Sequence, residues 1–276
     1  MDIIDAIILG VVQGVTEFIP ISSSGHLVLV PHFLHIEPPG VAFDAYLHLG
    51  TLLALFAFYW RDIENLLIAF GKSIMDIAKR NLQTVWKSPD KKMAWLIIIS
   101  SIPTAAMGFL LEDYFDSLFE NPLGVGFLLI VTGCFLWIGR NKGGEKDILR
   151  MGITTALLIG VAQGCAIAPG ISRSGATIVM GLLLGLTRDF AARYAFLLCI
   201  PSILGVTILK LNDVLYGEID PCMVIFGTII SAISGYIAIK VLLRIVSRGK
   251  LGIFAYYCWV VGFLVVVLIG ILHRSK

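Results

Sequence analysis

Long apolar segments separated by short polar connections dominate the chain. A membrane-spanning helix needs about 20 predominantly apolar residues, and six segments meet that requirement to within a few residues at each end. They lie at 41–60, 93–111, 123–139, 194–209, 222–243 and 251–272. The pattern therefore predicts an all-α polytopic membrane protein with six transmembrane helices.

Two further apolar regions, 3–36 and 151–186, are long enough to cross a membrane but are broken in the middle. The sequence PISSSG interrupts the first at 20–25, and PGISRSG interrupts the second at 169–175. Proline, glycine and clustered serines end helices, and freed backbone groups survive in a bilayer only inside protein or beside a water-filled cavity. We therefore expect two re-entrant helix–loop–helix hairpins, each leaving the membrane on the side where it entered.

The charges of the connecting loops support this count, because short cytoplasmic loops collect Lys and Arg. Loop 61–92 has seven basic and four acidic residues, whereas loop 112–122 has four acidic residues and no basic ones. Loops 140–150, 210–221 and 244–250 continue the alternation as basic, acidic and basic. The first hairpin should then enter from outside and the second from the cytoplasm, although the basic tail 273–276 would lie outside against the rule.

The two broken regions are internal repeats. A shift of 150 residues aligns them, and eight of the sixteen positions from Gly10 to Gly25 are identical. We predict one membrane domain, 1–276, in which a first half near 1–139 and a second near 151–276 are joined by a cytoplasmic linker at 140–150. Each half holds one hairpin and three spans, an odd number, so the second half should be inverted. Inverted repeats place their sites near the bilayer midplane, where the interrupted helices meet.

Composition excludes several classes of function. The 276 residues are 58% apolar and 14% charged, with a mean hydropathy of +0.91, whereas soluble domains are about 25% charged. A soluble globular enzyme is therefore excluded. A net charge of +2 provides no basic field for nucleic acid. The five scattered cysteines form no CxxC pair, which argues against a disulfide or zinc framework.

Two isolated charges mark the candidate site. Glu17 is the only charged residue between Asp5 and Glu37, and Arg173 is the only one between Arg150 and Arg188. Ionisable groups at membrane depth are costly and by default indicate function. We therefore expect Glu17 and Arg173 to share a polar cavity; the alternative is a buried ion pair that only joins the two halves.

The serines beside the breaks favour an anion as ligand. Ser22 and Ser172 are placed to cap the following helices, whose N-termini would point free N–H groups into the cavity. Arg173 adds a planar fork of donors suited to phosphate oxygens. Phosphate or diphosphate therefore fits this group better than a carboxylate, with simple helix capping as the alternative for each serine.

Other polar residues are candidates for acid–base, metal or supporting roles. His26 follows the first break and can act as general acid or base, while Glu17 could orient it, activate a nucleophile or hold a divalent cation. Gln13 lies one helical turn before Glu17. We expect interhelical hydrogen bonding for Gln163. Asp44 and His48 form a second i, i+4 pair, either an internal pair or support for the site.

Three stretches carry a family resemblance. QGVTEFIPISSSGH at 13–26 and PGISRSGAT at 169–177 resemble the two signatures of the undecaprenyl-pyrophosphate phosphatase (bacitracin-resistance) family, and FDAYLHLGT at 43–51 resembles a weaker third block. Many members have glutamate where this chain has Gln13, and in the third block we would expect glutamine where this chain has His48. The residues that match the family's functional positions are Glu17, Ser23, His26, Ser172, Arg173 and Thr177.

The resemblance implies hydrolysis of a C55 polyprenyl diphosphate to the monophosphate and inorganic phosphate, at the outer face of the cytoplasmic membrane, with a divalent cation (Mg²⁺ or Ca²⁺). Ser22, Ser24, Ser172, Arg173, Ser174 and Thr177 are the candidate phosphate-binding residues. Ser23 is the candidate nucleophile with His26 as its acid–base partner, and attack by histidine or by activated water stays open. The expected partners are the lipid substrate and the bilayer, with a homodimer left open. The alternative function is a polyprenyl-phosphate flippase or secondary transporter that uses the same midplane site.

Overall fold

The structure, a computed structural model, describes residues 2–37, 40–209 and 220–274. Within these ranges the regular secondary structure is α-helical, and one isolated bridge joins Lys146 and Leu186. The helices are α1 (Ile3–Phe18), α2 (Ser23–Leu34), α3 (Gly40–Ala78), α4 (Leu82–Lys87), α5 (Pro89–Leu110), α6 (Glu112–Phe119), α7 (Pro122–Gly139), α8 (Ile153–Cys165), α9 (Arg173–Leu183), α10 (Arg188–Leu209), α11 (Pro221–Ser247) and α12 (Gly252–Arg274).

The six predicted spans are confirmed as helices long and apolar enough to cross a membrane. They correspond to α3, α5, α7, α10, α11 and α12. Two predicted connections differ from the structure. α3 continues to Ala78, beyond the predicted end at residue 60, with a local departure from helical geometry at Tyr59 (φ −107°, ψ 24°). Loop 112–122 contains the short helix α6. Both segments are polar enough to end an apolar run, yet neither helix has a proline inside it.

Both predicted interruptions lie at helix ends. α1 ends at Phe18 and α2 begins at Ser23, while α8 ends at Cys165 and α9 begins at Arg173. Loop 210–221 was assigned to the outer side from its charges, but residues 210–219 lie outside the described part of the chain, as do the last two residues of the basic tail.

Small residues let the broken helices approach the spans closely. A Cβ added at Gly10 would lie 2.8 Å from the Gly227 carbonyl oxygen of α11, and one added at Gly14 would overlap Ser231 and Ser234. On α8, a Cβ at Gly160 would overlap the backbone of Ser100 on α5. Small residues at such spacing are typical of helix contacts inside membranes. α1 is thus fixed against α11, and α8 against α5.

Candidate active site

The two helix breaks touch each other in the interior. The Ser22 hydroxyl oxygen accepts a hydrogen bond from the Gly170 amide at 3.0 Å. A Cβ at Gly25 would lie 3.1 Å from the Cα of Gly170, and a Cβ at Gly175 would lie 3.2 Å from the Cβ of Pro20. A side chain at either position would therefore press on the other break, and the two glycines let the first turns of α2 and α9 lie close together.

Serine caps the N-terminus of each of these helices, as the sequence predicted. The Ser22 hydroxyl oxygen accepts from the Gly25 amide at 3.2 Å, and the Ser172 hydroxyl oxygen accepts from the Gly175 amide at 3.1 Å. Ser22 has φ 72° and ψ 97°, a conformation that costs a non-glycine residue about 1–3 kcal/mol and that clusters at functional sites. The strain places one hydroxyl between the two breaks.

Glu17 and Arg173, the two isolated charges, form an ion pair beside the breaks. The Arg173 Nη1 lies 3.2 Å from Glu17 Oε1, and the side chains are 21% and 3% exposed. The other carboxylate oxygen, Oε2, accepts from the Ser23 hydroxyl at 2.6 Å and from Gln13 Nε2 at 3.0 Å. Glu17 is therefore the centre of a buried polar cluster that joins the two halves of the sequence.

The structure pairs Ser23 with Glu17 rather than with His26. The capping turn brings the His26 ring back onto its own helix end, where Nδ1 bonds to the Ser22 carbonyl oxygen at 2.7 Å. The other ring nitrogen, Nε2, lies 2.8 Å from the hydroxyl of Tyr257 on α12. The predicted Ser23–His26 pair is thus not formed among the described residues, and the proton acceptor next to the Ser23 hydroxyl is a carboxylate.

The remaining candidate phosphate-binding hydroxyls lie at the same helix starts but have partners within them. Ser24 Oγ lies 3.4 Å from Ser22 Oγ, and Ser174 Oγ lies 3.3 Å from Ser172 Oγ. Thr177 is 1% exposed, and its hydroxyl donates to the Arg173 carbonyl oxygen at 2.9 Å. Thr177 thus stabilises the first turn of α9 and holds the backbone from which the Arg173 side chain extends.

The supporting candidates divide into two groups. His48 belongs to the site: its Nε2 lies 3.7 Å from Glu17 Oε2, and its Nδ1 bonds to the Asp44 backbone carbonyl oxygen at 2.8 Å. The internal pair on α3 therefore uses the backbone of Asp44 rather than its carboxylate. Gln163 belongs elsewhere, since its Nε2 donates to Thr104 at 3.2 Å and to Ser202 at 2.8 Å. This is the interhelical hydrogen bonding that the sequence predicted for Gln163.

Three residues of the site were missed by sequence reasoning. Tyr257 bonds to His26, and the Cys199 thiol lies beside Arg173. Thr132 on α7 donates to the Gly170 carbonyl oxygen at 2.7 Å and accepts from the Ser172 amide at 3.2 Å, which fixes the second break. All three lie in apolar spans where a single uncharged polar or aromatic side chain resembles ordinary packing.

Two side-chain oxygen donors beside the ion pair could hold a divalent cation. No group of three or more His, Cys, Asp or Glu side chains is arranged to hold a metal ion within the described ranges. The Gln13 Oε1 atom, however, is buried beside Glu17 and finds no hydrogen-bond partner among the described residues. One carboxylate and one amide oxygen suit Mg²⁺ or Ca²⁺, and Mg²⁺ commonly takes its other ligands from substrate phosphates and water.

Fold and site together define a polytopic helical membrane protein whose interior holds an ionic centre between two helix N-termini. The chain belongs to the family described as bacitracin resistance protein BacA, which matches residues 6–264.

Curated relatives match over nearly their whole length. The chain is 46% identical to an undecaprenyl-diphosphatase of Methanosphaera stadtmanae, covering 97% of this chain and 98% of that protein. It is 43% identical to an undecaprenyl-diphosphatase of Methanobrevibacter smithii, with coverages of 96% and 97%. The corresponding protein of Halothermothrix orenii is 42% identical, with coverages of 98% and 100%.

Proposed function

We propose that this protein is a membrane phosphatase that hydrolyses undecaprenyl diphosphate to the monophosphate and inorganic phosphate. The observation that carries the proposal is the buried Glu17–Arg173 pair at the point where the first turns of α2 and α9 meet. The family and the names of its curated relatives support the same activity. The flippase or transporter alternative has no observation of its own.

Arg173 and the two helix starts would bind the diphosphate. In the resting protein Arg173 donates to Glu17, and an incoming diphosphate would take over the guanidinium, since two parallel N–H groups match phosphate oxygens. The amides at the first turns of α2 and α9 add partial positive charge at the same place. Ser22, Ser24, Ser172 and Ser174 would line the phosphates, and Thr177 would hold the backbone of Arg173.

Ser23 is our proposed nucleophile, and Glu17 its proton acceptor. The 2.6 Å hydrogen bond from the hydroxyl to the carboxylate already aligns the proton for transfer. A Ser23 Oγ–P bond would form at the terminal phosphorus while the bridging P–O bond breaks and releases polyprenyl monophosphate. Water would then cleave the phosphoserine and release inorganic phosphate, with the proton held on Glu17 returning to the Ser23 oxygen. Arg173 would neutralise the charge that develops in both transfers.

A divalent cation would be held by Glu17 and by Gln13, whose Oε1 is buried without a partner among the described residues. Such a cation supplies charge neutralisation to the phosphate oxygens. Asp44 and His48 would support this side of the site, because the His48 ring lies next to the Glu17 carboxylate.

We also propose that helices α1–α2 and α8–α9 are re-entrant hairpins of an inverted repeat, with halves 1–139 and 151–276 joined by linker 140–150. Reciprocal contacts support this arrangement. Gly25 faces Gly170, and the repeat-equivalent Gly175 faces Pro20. Likewise, Thr104 of α5 donates to the Gly160 carbonyl oxygen at 2.9 Å, and Ser234 of α11 lies 3.4 Å from the Gly10 carbonyl oxygen.

We further propose that the site opens on the outer face of the cytoplasmic membrane, as the loop charges support, and that the enzyme there recycles the lipid carrier for envelope polymers. The prenyl tail would lie between the spans in the bilayer. Formation of a homodimer stays a prediction.

Phosphate release by purified protein in detergent tests the activity. Undecaprenyl diphosphate is supplied with Mg²⁺ or Ca²⁺, and parallel samples contain a chelator. We expect phosphate release by the wild-type protein and by Glu112→Gln, a control at an exposed position of α6, and loss of release with chelator or in Arg173→Ala. A folded wild-type protein that moves the lipid across vesicles without releasing phosphate would contradict the proposal and favour the transporter.

A further inference from the structure

The hydrogen bonds of His26 define its tautomer in the resting site. A backbone carbonyl oxygen only accepts, so the 2.7 Å contact with the Ser22 carbonyl requires the proton on Nδ1. In the neutral ring Nε2 then carries a lone pair, and the Tyr257 hydroxyl at 2.8 Å must be its donor. The ring is therefore held at both nitrogens, by its own helix end on one side and by α12 on the other.

α12 holds Tyr257 at this position through contact with the first break. Cys258, the next residue, is fully buried and its sulfur lies 3.9 Å from the Pro20 carbonyl oxygen. The phenol and imidazole rings are nearly parallel, at 18°, with centroids 5.8 Å apart. Tyr257 itself is 41% exposed. One face of the phenol thus meets the site while the other faces the surroundings of the protein.

We propose that Tyr257 is the positioning residue for His26: its hydroxyl donates to Nε2 and, with the Ser22 carbonyl oxygen on the other side, holds the imidazole in one orientation beside the first break. This rests on the proposed function for its catalytic consequence, because His26 lies in the first turn of α2, where the diphosphate would bind. The partner of one ring nitrogen sets which form the other nitrogen presents. Without the phenol hydroxyl the ring keeps one anchor only, and Nε2 becomes a buried acceptor without a donor among the described residues.

Tyr257→Phe tests the proposal, with Tyr256→Phe as its matched control on the same helix. Tyr256 packs edge-on against Trp137 and Trp259 and is 56% exposed. Neither tryptophan belongs to the candidate site. We expect Tyr257→Phe to lower kcat about tenfold or more, less than the full acid–base contribution of about 10²–10⁴, with KM unchanged within about threefold. Tyr256→Phe should match the wild type in both constants.

Nitrogen-15 NMR of histidine-labelled protein provides a readout that does not depend on turnover. His26→Gln identifies the His26 signals by their loss. The wild type and Tyr256→Phe should show one neutral tautomer, with the proton on Nδ1 and a hydrogen-bonded Nε2. Tyr257→Phe should keep that tautomer, with its Nε2 signal shifted to that of an acceptor without a donor. Equal elution volumes in size-exclusion chromatography and equal thermal unfolding midpoints show that the variants are folded.

Each combination of results is decisive. A Tyr257→Phe variant with wild-type kcat, or with an unchanged His26 spectrum, overturns the positioning role. If wild-type protein releases no phosphate while the His26 Nε2 signal still shifts in Tyr257→Phe, the proposed function fails and the assignment of Tyr257 as the residue that orients His26 stands. If the wild type is active and the spectrum is insensitive to Tyr257, the inference about Tyr257 fails alone.

Discussion

Glu17→Gln removes one charge from the ionic centre and nearly preserves its shape. The carboxylate receives three donors, from Arg173, Ser23 and Gln13, at 3.2, 2.6 and 3.0 Å. A glutamine in its place has one acceptor oxygen and an NH₂ group that cannot accept. At least one of these donors therefore loses its partner, and Arg173 loses its counter-charge.

The magnitude follows from the distance between the charges. Two unit charges 3.2 Å apart attract by about 5 kcal/mol at an effective dielectric constant of about 20, although desolvation offsets part of this. Measured couplings of close charge pairs run from about 1.5 to 7 kcal/mol, and the lower end is about tenfold in affinity. In the resting protein an anion must displace Glu17 to reach Arg173. We therefore expect Glu17→Gln to bind inorganic phosphate about tenfold more tightly when a chelator removes divalent cations.

Turnover should change in the opposite direction. Without the carboxylate, the Ser23 hydroxyl has no proton acceptor at 2.6 Å, and loss of a general base costs about 10²–10⁴ in rate, which is about 3–5 kcal/mol of transition-state stabilisation. Stronger anion binding with slower chemistry separates this role from simple misfolding, which would weaken both.

Two assays measure these quantities on the same purified samples. Isothermal titration with phosphate in chelator reports anion affinity, and phosphate release from undecaprenyl diphosphate with divalent cation reports kcat. Glu64→Gln, at an exposed position of α3, is the matched control and should equal the wild type in both. A Glu17→Gln variant with kcat within about threefold of wild type, or with weaker phosphate binding in chelator, would refute the assigned role of Glu17.

Three further changes have expected outcomes. Arg173→Lys should lower kcat by about 10²–10³, as for loss of a transition-state donor, because a point charge lacks the guanidinium fork. Arg150→Lys, at an exposed position, should retain wild-type phosphate release. Equal rates for the two variants would disprove the requirement for a guanidinium at position 173. Acid quenching during turnover of substrate labelled in the terminal phosphate should leave label on the wild-type chain and none on Ser23→Ala, whereas label on Ser23→Ala would exclude this nucleophile. Gly14→Ala should lower stability by about 1–3 kcal/mol in thermal unfolding, because the added Cβ overlaps α11. Gly71→Ala, at a position with open space around it, should leave stability unchanged. Equal unfolding midpoints for the two variants would contradict the close packing of α1 against α11.

The fold could be predicted where apolar length and helix-breaking residues decide it. The breaks at 20–25 and 169–175 contain proline, glycine and serine clusters, and the structure separates helices at both. The continuation of α3 to Ala78 was not predicted, because hydropathy falls at Arg61 while the residues that follow still favour a helix. An apolar pattern reports where the membrane ends, and a helix can extend beyond it.

The sequence predicted those residues of the candidate site whose charge has a high free-energy cost inside a membrane. Glu17 and Arg173 stood out because lone charges in apolar sequence require a partner, and they lie 3.2 Å apart. The partner of Ser23 was not predictable, because a helix cap directs the His26 ring by local backbone geometry that residue spacing does not describe. Tyr257 acts through one hydrogen bond and Thr132 through two, each from a distant helix. An uncharged side chain in an apolar span carries no energetic signal in the sequence.

The resting ion pair also bears on which anion the proposed site would accept. In the resting structure Glu17 provides the counter-charge of Arg173. A ligand must therefore carry more negative charge than a single carboxylate to displace Glu17 from the Arg173 guanidinium. A diphosphate that also engages the first turns of α2 and α9 exceeds that requirement, whereas the monophosphate product has fewer oxygens to span both helix starts. Return of Glu17 to Arg173 after bond cleavage would then favour release of the lipid product, so the same carboxylate that accepts the Ser23 proton would also limit product inhibition.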